Sequence, residues 1–169
     1  AAEKHGLRAY YDVDEMLREA LVRYLDALRC DAGSIYFWDE RSETLVLKAA
    51  QGPDADLRVG LRQKIGEGFA GWVAKARDSI LVTDARKVRQ LSQRQCRRYS
   101  NFSCLGTPIL YGERLFGVVC LTMTKADRVF RAEDLLLAQA LTRKLGSLMR
   151  PLSLLVELRS FNERLSQVM

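Results

Sequence analysis

Between residues 13 and 28 apolar side chains return every three or four positions: Val13, Leu17, Ala20, Leu21, Tyr24, Leu25 and Leu28. That spacing tracks the 3.6-residue turn and predicts an amphipathic helix with one buried stripe. Asp12, with Glu15 three positions later, resembles a capping box. The helix is therefore expected to start there, with residues 1–11 as a flexible arm or the end of an upstream helix. The period then falls to two. Residues 34–38 are β-branched and aromatic, 39–43 are polar, and 44–50 return as a second apolar stretch, the pattern of a hairpin. Gly52-Pro53 breaks it. Leu57, Val59, Leu61, Gln63 and Ile65 then alternate with Arg58, Gly60, Arg62 and Lys64, a strand with one wet face.

Gly66 and Gly68 flank Glu67 and permit a tight turn. Phe69, Trp72, Val73 and Ala76 follow on one face of a short helix. Residues 80–82 form a short apolar strand, and 86–101 are polar and irregular. Two strands, 103–109 and 114–123, surround the turn Tyr111-Gly112-Glu113; the second is nearly all apolar and should be central. The last forty residues carry two stripes at helical spacing. Leu137, Leu141, Leu145, Leu148, Leu152 and Leu155 make one; Leu154, Leu158, Phe161, Leu165 and Val168 make the other. They are offset by one residue, and Pro151 stands where they meet. Proline removes a helical hydrogen bond, so one helix is expected to end near Met149 and another to begin at Pro151.

Composition narrows the class. The chain has 169 residues, of which 48% are hydrophobic, enough for one core and a helical extension. No apolar run reaches the roughly 20 residues a membrane helix needs, so no membrane insertion is expected. Residues 1–7 have no apolar segment of a signal peptide. The first residue is Ala1, which suggests excision from a longer protein. The net charge of +6 is spread among interspersed carboxylates, and no nucleic-acid reader motif accompanies it. Cys30, Cys96, Cys104 and Cys120 form no CxxC pair, which suits reduced thiols and a cytoplasmic location. His5 is the sole histidine. No metal site and no catalytic residue is assigned, and no cofactor is named.

Taken in order, these elements resemble a GAF domain over residues 12–150. The residues that carry the resemblance are Gly66, Gly68, Gly71 and Val73, then Val82-Thr83-Asp84, then Leu105-Gly106-Thr107-Pro108-Ile109. Gly112, Phe116-Gly117-Val118-Val119, and Phe130 with Asp134 and Leu135 complete it. The resemblance implies an α+β fold, GAF/PAS-like, with a central antiparallel sheet of about six strands. The N- and C-terminal helices would flank one face, and a short helix and loop would enclose a ligand pocket on the other. Residues 151–169 would be a signalling or dimerisation helix. The chromophore-binding branch of the family needs a Cys-His pair, which this chain lacks. The haem-binding branch needs a histidine in the domain, and His5 precedes it.

Several side chains are candidate ligand contacts, each with a structural reading beside it. Arg94, Arg97 and Arg98 close a basic loop that begins at Arg86, Lys87 and Arg89. Guanidiniums bind phosphate in bidentate fashion; the same charges also suit a solvated loop. Tyr99, Asn101 and Ser103 stand where the family lines its pocket, and Tyr99 with Phe102 equally suits a core lid. Phe69 and Trp72 face either a cavity or the core. Asp84 caps the next turn or orients a ligand. The glycine turn lacks the GKS or GKT of a phosphate loop and is assigned a structural role.

The function expected is a non-catalytic sensory domain for a small ligand, with a nucleotide-like anion as the first guess. It would act as a homodimer through its terminal helices on an attached output domain. The alternatives are a ligand-free dimerisation or docking module, and a thiol-based redox sensor or reductase using Cys96 and Cys104.

Overall fold

The structure, a computed structural model, describes residues 2–52, 59–84, 103–125 and 128–168. Among them are helix α1 (Ala2–Leu28), strands β1 (Ala32–Asp39), β2 (Thr44–Gln51) and β3 (Arg62–Lys64), and helix α2 (Gly68–Ala76). Strands β4 (Ile80–Val82), β5 (Ser103–Tyr111) and β6 (Arg114–Met123) follow, then helix α3 (Ala132–Val168). The strands form one antiparallel sheet in the order β3-β2-β1-β6-β5-β4. This is the α+β arrangement anticipated.

Leu17, Leu21, Tyr24 and Leu28 of α1 and Ala138, Leu145 and Met149 of α3 pack on one face of the sheet. There they meet Ile35, Ala49, Leu105, Ile109, Val119 and Leu121. On the other face Ala70, Val73 and Ala74 of α2 cover Tyr36, Leu45, Leu47, Val118 and Cys120. β6, predicted central, lies between β1 and β5 and is buried along most of its length. β2 contains a bulge: Tyr36 pairs with Leu47 but Ile35 pairs with Ala49, so Lys48 is an extra residue. The bulge changes the phase of the alternation, which is why Leu47 and Ala49 serve opposite cores.

Both ends of the molecule differ from the sequence expectation. Asp12 lies inside α1 rather than at its cap, because the helix already runs from Ala2. The end of α1 is a left-handed turn: Arg29 has φ 53°, and the Cys30 N–H donates to the Leu25 carbonyl at 3.1 Å. Pro151 does not divide the last helix; α3 continues through it. The carbonyl that Pro151 cannot satisfy belongs to Ser147, and both residues are exposed, so water can take the place of the missing donor. β3 is shorter than its alternation suggested, with residues 59 and 60 in a turn. The first turn of α3 is organised by Asp134, whose Oδ2 accepts the Arg131 N–H at 2.7 Å. Among the described residues no helix is long and apolar enough to cross a membrane.

Candidate functional site

The face covered by α2 carries two of the sequence candidates, Phe69 and Trp72, both on the helix itself. Glycines let α2 lie close to its neighbours at two places. A Cβ on Gly106 would come within 2.5 Å of Val73 and 2.9 Å of Phe69, so α2 rests directly on β5. A Cβ on Gly71 would fall 2.5 Å from the Lys64 carbonyl. Its absence lets the turn after β3 fold back on the helix, closed by the Gly66 N–H to the Gly71 carbonyl at 2.9 Å. Gly66 and Gly68 hold φ of 86° and 64°, a region that costs glycine little. The demands of this turn account for its glycines without a phosphate.

Phe69 and Trp72 are both half-buried and meet edge to face, with centroids 6.1 Å apart and planes at 78°. Asp84 stands two residues beyond β4 and is half-buried. Cys104 and Cys120 are buried thiols, and strand alternation puts both on the α2 face. On the helix-covered side, burial pushes the Cys30 thiol up to about 12, with the Asp31 charge adding, so it stays protonated at neutral pH.

Ser103 does not join this group. It is fully buried, on the face of β5 that meets α1 and α3. Its hydroxyl donates to the Val82 carbonyl at 3.2 Å and accepts the Phe130 N–H at 2.9 Å. Ser103 therefore joins β4 to the start of α3. A register one residue different would have turned it inward, and only the sheet decides that register. Arg94, Arg97, Arg98, Tyr99 and Asn101 lie outside the described residues, as do Cys96 and Phe102.

One residue emerges that was not singled out. Gln63 pairs with Leu45, so its side chain shares the α2 face. Its Oε1 is buried without a hydrogen-bond partner among the described residues. A buried acceptor left unpaired costs about 1–3 kcal/mol, and a donor from outside the chain would relieve it. The sequence holds a trace of this: Gln63 occupies an apolar slot in an otherwise alternating strand. Among the described residues no cluster of three or more His, Cys, Asp or Glu is placed to hold a metal.

The sequence profile described as GAF domain matches residues 12–148. Solved structures repeat the fold. The GAF domain of a phosphoenolpyruvate-protein phosphotransferase from Coxiella burnetii is 28% identical, with TM-score 0.70, over 79% of this chain and 80% of that one. The corresponding domain from Acinetobacter is 22% identical with TM-score 0.74, over 85% of each chain. Free methionine-R-sulfoxide reductase from Neisseria meningitidis, in complex with its substrate, is 23% identical with TM-score 0.67, over 79% of this chain and 75% of that one. No curated protein matches the chain.

Proposed function

The chain belongs to the GAF domain family, and from that premise we propose that it is a cytoplasmic, non-catalytic sensor. It binds a small nucleotide-like anion on the α2 face and passes the event along α3 to an attached output domain. The observation that carries the reading is the buried Gln63 Oε1 on that face, which has no partner among the described residues. It calls for an N–H donor of the kind an amino-substituted base carries. The half-buried Phe69–Trp72 pair offers apolar and aromatic surface to a planar ring. Arg94, Arg97 and Arg98 supply charge for phosphate, while Asp84, Tyr99 and Asn101 are further polar candidates. Ser103 is left out, because its hydroxyl is committed on the other face.

α3 suits the role of output element. Its first half is anchored in the core by Ala138, Leu145 and Met149. In its second half Leu154, Leu155, Leu158, Phe161 and Leu165 are each about half exposed or more, from 48% to 62%. A helix with such a stripe is not stable alone in water. A second copy packed in parallel through this stripe would cover it and form the homodimer. A ligand alters the output only by favouring one of two arrangements of α3 over the other. Isothermal titration of the protein with cyclic nucleotides and cyclic dinucleotides tests the reading. Saturable heats that diminish in Gln63→Leu support it, and flat heats across the whole set reject the nucleotide.

A further inference from the structure

A cleft lies at the edge of the sheet, beyond the end of β4. β4 pairs with β5 only from Cys104 to Gly106, so among the described residues the outer edge of β5 has no strand partner from Thr107 onward. Pro108 sits there, where no N–H is left for a neighbouring strand to claim. The turn after α2, this edge and α3 border an open cleft of about 220 Å³. We propose that the cleft binds a small monoanionic carboxylate with a short alkyl tail. The proposal is independent of the nucleotide reading.

The polar groups of the cleft are mostly hydrogen-bond donors. Ser79 donates to Thr107 Oγ1 at 3.0 Å. Thr107 is 2% exposed, and its own hydroxyl hydrogen has no acceptor among the described residues. Gln139 and Arg143 lie one turn apart on α3 and line the cleft. Neither side chain makes a hydrogen bond or ion pair among the described residues. Arg77 gives one N–H to the Glu113 carbonyl, and the guanidinium has others to offer. Thr142 also borders the space, but its hydroxyl is committed to Ala138 and Tyr24.

The ligand class follows from charge and shape. The lining holds two arginines, Arg77 and Arg143, and one aspartate, Asp78, whose Oδ1 accepts the Ser79 N–H at 2.8 Å. The single net positive charge matches a monoanion, and Asp78 opposes a dianion such as phosphate. Pro108 and Leu110 give the cleft an apolar wall for an alkyl chain. Its volume suits a molecule of a few heavy atoms, well below the roughly 300–1,000 Å³ of drug-sized pockets. A carboxylate held by Arg143 and Arg77 would join the end of α2 to the part of α3 that leads into the exposed stripe.

The test is a titration of the ¹⁵N-labelled protein with sodium butyrate at pH 7.5, followed by amide shifts. Sodium chloride and inorganic phosphate serve as separate arms. Butyrate is expected to give saturable shifts centred on Ser79, Thr107, Leu110, Gln139 and Arg143, with phosphate weaker. Arg143→Gln, at an exposed position, should keep the fold and raise the butyrate Kd at least about tenfold. Asp78→Asn should bring phosphate closer to butyrate. The proposal is overturned if butyrate gives no saturable shifts at these amides. It is equally overturned if the shifts persist unchanged in Arg143→Gln, or if phosphate binds the unaltered protein as tightly as butyrate.

Discussion

The Tyr24 hydroxyl meets Thr142 Oγ1 at 2.8 Å in a buried contact between α1 and α3, 118 positions apart in the chain. Thr142 spends its own hydrogen on the Ala138 carbonyl at 2.7 Å, so Tyr24 is the donor. Burial pushes the Tyr24 phenol from its usual 10 up to about 12, against the opposing hydrogen bond to Thr142. The unfolded chain ionises first, so this contribution is complete below pH 10 and is lost as pH rises toward about 12. The Cys30 thiol, raised to about 12 chiefly by burial, begins the loss near pH 9. Urea melts from pH 8 to 12 should show Tyr24→Phe less stable by about 1 kcal/mol at pH 8. Its further fall between pH 10 and 12 should be smaller than that of the unaltered protein by about 2 kcal/mol. Parallel curves would contradict the buried donor.

Gly146 is where α3 crosses β5. A Cβ there would fall 2.5 Å from the Leu110 carbonyl oxygen. In an exposed helix Gly→Ala gains about 1 kcal/mol. Here Gly146→Ala should lose about 1–3 kcal/mol, because backbone must move to admit the methyl. Chemical denaturation reads the sign directly.

Ser103→Ala removes both the donor to Val82 and the acceptor for the Phe130 N–H. A cost of about 1–3 kcal/mol is expected from the buried N–H left unpaired. Nucleotide titration on the same variant should match the unaltered protein, since Ser103 faces the other side. A selective loss of binding at unchanged stability would restore Ser103 to the site.

Gln63→Leu replaces an unpaired buried acceptor with an apolar group of similar size. The empty protein should melt higher, by about 1 kcal/mol, while its nucleotide affinity falls. A lower melting temperature would mean that the acceptor is already satisfied.

Leu158, 61% exposed in the middle of the α3 stripe, should accept Glu without harm to the core. If the stripe is the dimer contact, light scattering should find Leu158→Glu monomeric at concentrations where the unaltered protein is a dimer. An unaltered protein that stays monomeric across the dilution series would remove the contact.

Periodicity determined much of this molecule. The three-four spacing from Val13 to Leu28 reflects one helix face, and the unbroken apolar run of β6 reflects burial on both sides of a sheet. These are relations between near neighbours in the chain, which any window of sequence contains. Capping and breaking signals were weaker. Asp12 and Pro151 both lie within helices, because a residue that favours an end does not impose one when packing or solvent meets the cost. Tertiary structure alone decided the rest. The bulge at Lys48 moves Ala49 to the other core, and the register of β5 turns Ser103 toward Phe130. Gly146 beneath Leu110, Thr142 against Tyr24, and Gln63 buried without a donor are meetings of atoms far apart in sequence. They exist only once the sheet has closed and the helices have chosen where to rest, and no local pattern contains that choice.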